Sequence, residues 1–204
     1  MSTPPRLTKN SEIRRQRRRK AHSCYNHLIA APLWAKYTVN LGTLLRTCDA
    51  VGACMAVPRR PRITEALDKG NRLRPGSTCI HWVNDPASWL EAQRGSSVIL
   101  AVELADEAIR LADLKPAEPA ERTIMLLGNE GSGVPPEGME FAQYAVEIPM
   151  IGIGSSLNVA VAGSLVLYRL AGLLLCGRIM TQFRCSPAVT ARQDGSIHEE
   201  RFHR

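Results

Sequence analysis

The chain has 204 residues, of which 45% are hydrophobic, and a formal net charge of +7. This length suits one domain with a substantial core, and the composition excludes a wholly disordered chain. The charge is unevenly placed, because residues 1–20 carry eight basic side chains and one acid, so the remainder is neutral overall. A block of like charges repels itself, and residues 1–23 are therefore predicted to be a disordered basic arm.

The basic arm has two interpretations. Its cations could contact nucleic-acid phosphates and release counterions, or they could form a solvated tail that only aids solubility. No apolar segment follows the arginines, so a signal peptide is not predicted. The candidate phosphate contacts in the arm are Arg14, Arg15, Arg17, Arg18, Arg19 and Lys20.

Short β-rich runs alternate with helical patterns through residues 24–176. The predicted strands are residues 28–31, 53–57, 78–83, 97–102, 123–127 and 145–148. The predicted helices are residues 42–51, 87–93, 104–112 and the apolar segment 155–176, while the Arg- and Pro-rich stretch after the second strand is assigned no element. This alternation predicts an α/β domain with a mostly parallel sheet, helices on both faces, and a ligand at the carboxyl ends of the strands. Residues 177–204 are polar and predicted to be a mobile tail.

The apolar segment 155–176 approaches the roughly 20 residues that a membrane span needs. Arg169 and Asn158 lie within it and are costly in hydrocarbon. A helix that is apolar nearly all round is also typical of burial on two sides. The segment is therefore predicted to pack on the sheet and against another subunit, not to cross a membrane.

The cysteines stand at positions 24, 48, 54, 79, 176 and 185, with no C-x-x-C spacing and no H-E-x-x-H histidine pair. Their spacing therefore predicts neither a metal site nor a disulfide framework. They are interpreted as small apolar residues in a reducing cytoplasm.

Two motifs frame the middle of the predicted domain. The first motif, residues 40–52 (NLGTLLRTCDAVG), places Asn40 to cap a helix that carries Arg46. Alone it would fit a surface helix with a solvated arginine. The second motif, residues 127–135 (LGNEGSGVP), follows a strand, and its three glycines let the backbone approach a ligand or simply form a flexible turn. It lacks the Lys-Ser/Thr pair of a phosphate-binding loop, and Glu130 suits a cationic ligand.

The third motif, residues 148–159 (IPMIGIGSSLNV), precedes the apolar segment. Its G-x-G pattern has Leu157 where a dinucleotide-binding fingerprint has its third glycine, and no suitable acid follows. A dinucleotide site is therefore not favoured. Ser155 or Ser156 could simply cap the last helix.

In this order and spacing, the three motifs resemble the SPOUT superfamily, in its SpoU-type branch of tRNA and rRNA 2′-O-ribose methyltransferases. Thr38 stands where that branch usually has proline, which removes no reactive group. The 204 residues are interpreted as lacking the separate N-terminal RNA-binding domain that many relatives carry, so the choice of RNA stays open. The resemblance implies a C-terminal trefoil knot, S-adenosyl-L-methionine as cofactor, tRNA or rRNA as substrate, a homodimer through the last helix, and a cytoplasmic location.

The resemblance also implies the site residues. The implied cofactor contacts are Leu104, Gly128, Asn129, Glu130, Gly131, Ile148, Met150, Ser156, Leu157 and Asn158. The implied catalytic residues are Arg46, Asn40, Glu130, Ser156 and Asn158. A guanidinium pKa above about 12 makes Arg46 a poor general base, so Arg46 is interpreted as a clamp on an RNA phosphate that also stabilises the developing alkoxide.

The other implied catalytic residues have positioning roles. Asn40 and Ser156 would position the hydroxyl or Arg46, and Asn158 would hold the last loop. Glu130 would favour the positive charge of the cofactor or orient Arg46. Two alternatives remain: a knotted RNA-binding protein without turnover, and a base methyltransferase of a related SPOUT branch. The S-L-N ending of the third motif favours the ribose branch.

Overall fold

The computed structural model describes residues 27–70, 79–154 and 156–174. Within these ranges, seven strands form one parallel sheet. They are β1 (Leu28–Ala31), β2 (Cys54–Pro58), β3 (Ile80–Val83), β4 (Ser97–Val102), β5 (Ile109–Arg110), β6 (Arg122–Leu127) and β7 (Tyr144–Glu147). The first two strands are buried along their whole length, as is typical of parallel strands covered on both faces.

Helices cover both faces of this sheet, which confirms the predicted fold class. They are α1 (Thr38–Val51), α2 (Pro61–Gly70), α3 (Pro86–Glu91), α4 (Pro136–Met139) and α5 (Val159–Leu170). Alternate residues of β6 face opposite sides, so Met125 and Leu127 join the core under α1, α2 and α5. Ile124 and Leu126 join the second core, which packs against Leu90 of α3.

The strand order decides where the three motifs meet. The order is β3-β2-β1-β6-β4-β7-β5, so β6 lies between β1 and β4, and β7 lies next to β4. Because the strands are parallel, the chain leaves these four strands at the same side of the sheet, here called the carboxyl edge. The connection from β1 to α1, the second motif and the third motif all begin there, as expected for a ligand site in an α/β fold.

The last helix is shorter than the apolar segment that predicts it. α5 has 12 residues, and in the described ranges no helix is long and apolar enough to cross a membrane. A Cβ on Gly163 would lie 2.8 Å from Leu127 Cδ1 and 3.0 Å from Leu44 Cδ1, so α5 packs closely on β6 and α1. Arg169 stays in this apolar helix because its guanidinium donates to the carbonyls of Leu114 (2.5 Å) and Ala112 (2.6 Å).

Two stretches differ from the sequence-based expectation. Residues 104–112 do not form a helix; they turn through Glu107, at a φ of 61°, into the two-residue strand β5. The polar stretch after β2 forms α2, which begins at Pro61, where the missing N–H of proline costs no helical hydrogen bond. The predicted arm and tail lie outside the described residues. The domain boundaries and the knot stay predictions.

Candidate active site

The second motif forms a closed turn directly after β6. A Cβ on Gly128 would lie 1.9 Å from the carbonyl carbon of Gly133, so only glycine permits this approach. Gly133 has a φ of 69°, in the left-handed region that favours glycine. The side chain of Asn129 accepts hydrogen bonds from the amides of Gly131 and Ser132, both at 2.9 Å. The turn is therefore held in shape by its own asparagine.

Glu103 fixes this turn to the neighbouring strand, and sequence reasoning missed it. It is the first residue after β4, and its Oε2 accepts a hydrogen bond from the amide of Val134 at 2.9 Å. Its Oε1 accepts one from the amide of Leu104 at 3.2 Å. A carboxylate directly after a buried strand was the available signal, because such positions lie at the carboxyl edge.

Asn40, Glu130 and Asn158, here called the Asn40 network, join the three motifs. The side-chain amide of Asn40 donates to Glu130 Oε1 at 2.5 Å, and its carbonyl accepts from Asn158 Nδ2 at 3.0 Å. Glu130 Oε2 also accepts from the backbone amide of Lys36 at 3.2 Å. Asn40 is only 8% exposed, so its polar atoms need these protein partners.

The predicted helix caps are corrected by these contacts. Asn40 does not cap α1: the helix begins earlier, after Tyr37, and Asn40 is its third residue. Asn158 caps α5, because its Oδ1 accepts from the amides of Ala160 (2.9 Å) and Val161 (3.3 Å). Ser156 therefore does not fill the capping role, and Ser155 lies outside the described residues.

Arg46 and Ser156 stand apart from the Asn40 network. Arg46 is exposed on α1, six positions beyond Asn40 in a helix of about 3.6 residues per turn, so the two point to different sides. Ser156 is exposed in the third motif. Neither side chain hydrogen-bonds another residue in the part of the chain that the structure describes. Both remain available to a substrate.

The other residues implied as cofactor contacts line the carboxyl edge. Leu104 follows β4, the glycine-rich turn follows β6, and Ile148 and Met150 follow β7. Leu104 is 74% exposed, and Met150 and Leu157 are also exposed, an unusual setting for large apolar side chains. The carboxyl edge thus offers apolar side chains, the carboxylates of Glu103 and Glu130, and the exposed backbone of the glycine-rich turn. These groups would fit a ligand with a flat apolar part and a positive charge. The basic-arm residues implied to bind RNA lie outside the described residues.

Comparisons with known proteins bear on this site. The sequence profile of the SpoU rRNA Methylase family matches residues 35–168. A tRNA (guanosine(18)-2′-O)-methyltransferase of Aquifex aeolicus is 33% identical over 135 residues, which are 63% of this chain and 61% of the relative. A 23S rRNA (uridine(2479)-2′-O)-methyltransferase of Streptomyces viridochromogenes is 29% identical over 148 residues, 70% of this chain and 51% of the relative.

Solved structures show the same similarity. The crystal structure of an A. aeolicus TrmH/SpoU tRNA modifying enzyme has a TM-score of 0.62 and 29% identity, and the match covers 74% of this chain and 77% of that one. An AdoMet-bound rRNA methyltransferase from Sinorhizobium meliloti has a TM-score of 0.61 and 26% identity, covering 76% and 59%. The matched region spans about three fifths of the A. aeolicus methyltransferase sequence.

We predict that Asn158→Ala lowers the free energy of unfolding by about 2 kcal/mol or more. It removes the cap of α5, worth about 1 kcal/mol, and leaves the buried Asn40 carbonyl without its donor. Denaturant unfolding measures the change. Asn158→Asp keeps the capping oxygen but puts a carboxylate oxygen, which cannot donate, against the Asn40 carbonyl, so it should stay less stable than wild type although α5 keeps its cap. Ser156→Ala, at an exposed position, should stay within about 0.5 kcal/mol of wild type. Equal unfolding midpoints for all four proteins would show that the Asn40 network does not stabilise the fold.

Proposed function

Because the chain belongs to the SpoU rRNA Methylase family, we propose that it transfers a methyl group from S-adenosyl-L-methionine to a ribose 2′-hydroxyl of tRNA or rRNA. The observation that carries this proposal is the Asn40 network, which draws all three motifs to one edge of the sheet. Similar proteins named as tRNA and rRNA 2′-O-methyltransferases support the reaction, and an AdoMet-bound similar structure supports the cofactor.

The carboxyl edge has the features that this cofactor needs. Bound there, S-adenosyl-L-methionine would supply an electrophilic methyl group on a positively charged sulfur. The close approach of Gly128 to Gly133 keeps the turn tight, and Gly131 adds no Cβ to it, so backbone groups of the turn can contact a ligand. Glu103 and Glu130 place negative charge beside the turn, which favours a cationic ligand. Leu104, Met150 and Leu157 offer exposed apolar contact surface.

We propose that the implied catalytic residues fall into two groups. Asn40, Glu130 and Asn158 are positioning residues, because their side chains already hydrogen-bond one another and hold the loops. Arg46 and Ser156 face solvent and are the groups proposed to touch the substrate. Glu130 is thus proposed to fix Asn40 and the loop before α1, and not to orient Arg46.

Arg46 is proposed to act on charge without acting as a base. A guanidinium stays protonated at physiological pH, so it cannot accept the proton of the ribose hydroxyl. It can donate two parallel hydrogen bonds to a phosphate and stabilise the alkoxide that develops as the hydroxyl loses its proton. Ser156 would position that hydroxyl in line with the methyl group.

RNA is the proposed partner, and exposed cations at the carboxyl edge support it. Arg59 and Arg60 follow β2 at this edge, as Lys36 follows β1. The Arg59 guanidinium lies 5.8 Å from the centre of the Trp82 ring, which restrains it while it stays exposed. Such cations contact phosphates whatever the base, so they support an RNA substrate without selecting one. An RNA substrate also supports the proposed cytoplasmic location.

A homodimer through α5 is proposed for the same protein. Val161 and Leu165 recur at helical spacing on the side of α5 opposite the face that packs on the sheet, and both are at least partly exposed. A second subunit would cover this apolar stripe, whereas exposed apolar patches favour aggregation. Sedimentation of the purified chain at the mass of a single chain would rule the dimer out.

We expect purified chain to bind one S-adenosyl-L-methionine or S-adenosylhomocysteine per chain in calorimetry, with NAD as the negative control. With isotope-labelled cofactor and RNA from a strain lacking this chain, digestion to nucleosides should place the label on ribose. Label on a base would favour the base methyltransferase, and cofactor and RNA binding without label would favour the non-catalytic RNA-binding protein. Binding of NAD alone would contradict the proposed cofactor.

We expect Arg46→Ala to bind cofactor normally and to lower kcat by about 100- to 1,000-fold, the usual cost of removing a donor to a developing oxyanion. Arg46→Lys should recover little activity, because an ammonium cannot reproduce the two-pronged guanidinium contact. Arg94→Ala is the matched control, since Arg94 is an exposed arginine that pairs with Glu91 at 2.9 Å, just before β4. Near-normal turnover of Arg46→Ala would leave Arg46 as a solvated helix residue.

Deletion of residues 1–20 tests the basic arm, because these residues carry a charge equal to the formal net charge of the whole chain. RNA binding should weaken, and the slope of log affinity against log salt should flatten by roughly 0.7–0.9 for each lost phosphate contact. Cofactor affinity and turnover at saturating RNA should hold, because the proposed site lies beyond residue 39. An unchanged slope would assign RNA binding to the domain and leave the arm as a solubility tail.

A further inference from the structure

A cluster of metal-binding side chains lies at the opposite end of the strands from the candidate active site. Cys54 is the first residue of β2, Cys79 directly precedes β3, and His81 is the second residue of β3. The two strands pair with Met55 opposite Ile80, and the Met55 amide donates to the Cys79 carbonyl at 2.9 Å. Because side chains alternate along strands, this register puts Cys54, Cys79 and His81 on the same face of the sheet.

The three ligand atoms lie close enough together to share one metal ion. The two sulfurs and a ring nitrogen all lie within 4.8 Å of one another, and Cys79 Sγ lies 3.7 Å from His81 Nε2. In a tetrahedral zinc site, bond lengths of about 2.3 Å to sulfur and 2.0–2.1 Å to nitrogen put neighbouring ligands roughly 3.6 Å apart. The side chains thus stand close to the positions that a shared ion would require.

We propose that Cys54, Cys79 and His81 bind one Zn²⁺ ion and tie the edge strand β3 to β2. Thiolate and imidazole donors favour zinc over magnesium or calcium, which prefer oxygen. Three protein ligands leave the fourth tetrahedral position for water. This site is independent of the proposed methyl transfer.

Charge balance makes the site compatible with its partly buried setting. Cys54 is buried, and Cys79 and His81 are half-buried. As the ion binds, each thiol releases its proton to solvent, so two thiolates and a neutral imidazole surround a charge of +2. The loaded cluster is therefore neutral overall, and no uncompensated charge enters the core.

The place of the cluster in the sheet gives the ion a structural role. β3 is the outermost strand on its side, and three of its four residues are only half-buried, whereas β2 is buried throughout. An edge strand with little burial depends on few contacts for its position. A metal bound by both strands would add a link between β3 and the interior of the sheet.

Zinc binding can be measured in a variant with Cys24, Cys176 and Cys185 changed to serine, which removes the thiols outside the described residues. After treatment with chelator, this protein should bind one Zn²⁺ per chain in competition with a chromophoric chelator. Co²⁺ in its place should give the optical absorption of thiolate coordination. Adding Cys79→Ser or His81→Gln should weaken zinc binding more than about 100-fold, since even the loss of a group supporting a ligand typically costs 10–100-fold. Cys48→Ala is the control, because Cys48 is a buried thiol of the core on the other face of the sheet, and this variant should bind zinc as before.

A second measurement covers the case in which a cluster variant does not fold. In the background protein with the cluster intact, Zn²⁺ should slow alkylation of Cys54 and Cys79, read by mass spectrometry, and should raise the unfolding temperature. Absence of zinc binding, binding of Cu⁺ but not Zn²⁺, or equal alkylation of both thiols with and without Zn²⁺ would overturn the proposal. None of these readouts depends on methyl transfer, so failure here leaves the proposed function untouched.

Discussion

The candidate active site depends on one buried amide, the side chain of Asn40. It donates to Glu130 in the second motif and accepts from Asn158 in the third, so three segments distant in sequence share one pair of hydrogen bonds. Replacing the donor or the acceptor would leave a buried polar atom without a partner, which costs about 1–3 kcal/mol. The arrangement is therefore specified by polar pairing as well as by apolar packing. Asn158 also caps α5, so the helix that closes the described domain and the loop before it are fixed by the same side chain.

The same hydrogen bonds distinguish the residues that are proposed to hold the site from those that are proposed to act in it. The charged Glu130 is occupied by Asn40 and by the Lys36 amide, whereas Arg46 and Ser156 face outward. An exposed guanidinium without a partner among the described residues is suited to meet a phosphate that arrives with the substrate. The turn of the second motif is held independently of Asn40. Asn129 hydrogen-bonds within the turn, Gly133 adopts a left-handed conformation, and Glu103 accepts a hydrogen bond from the amide that follows Gly133. The protein can thus hold its loops in place before a substrate binds.

Much of the fold could be predicted from sequence because strands buried on both faces are continuous apolar runs. β1 and β4 lie at the predicted residues. The helix predicted at residues 104–112 does not form, because residues of this segment form β5 and pair with β7. Asn40 was expected to cap a helix, and its actual partners, 90 and 118 residues away along the chain, leave no local trace. Glu103 was missed although it directly follows a buried strand, because its partner Val134 comes from another strand connection and nothing local indicates that contact.

The cysteine cluster also depends on contacts between segments that are distant in sequence. Sequence spacing gave no reason to expect a metal site, because the cysteines show no C-x-x-C spacing and no H-E-x-x-H pair accompanies them. Here Cys54 and Cys79 become neighbours only when β2 pairs with β3, and the alternation of side chains along β3 adds His81. A one-residue change in that register would turn the β3 side chains to the other face and disperse the cluster. Because the ligands come together only in this register, zinc bound by them would stabilise the pairing of β2 with β3 that creates the site.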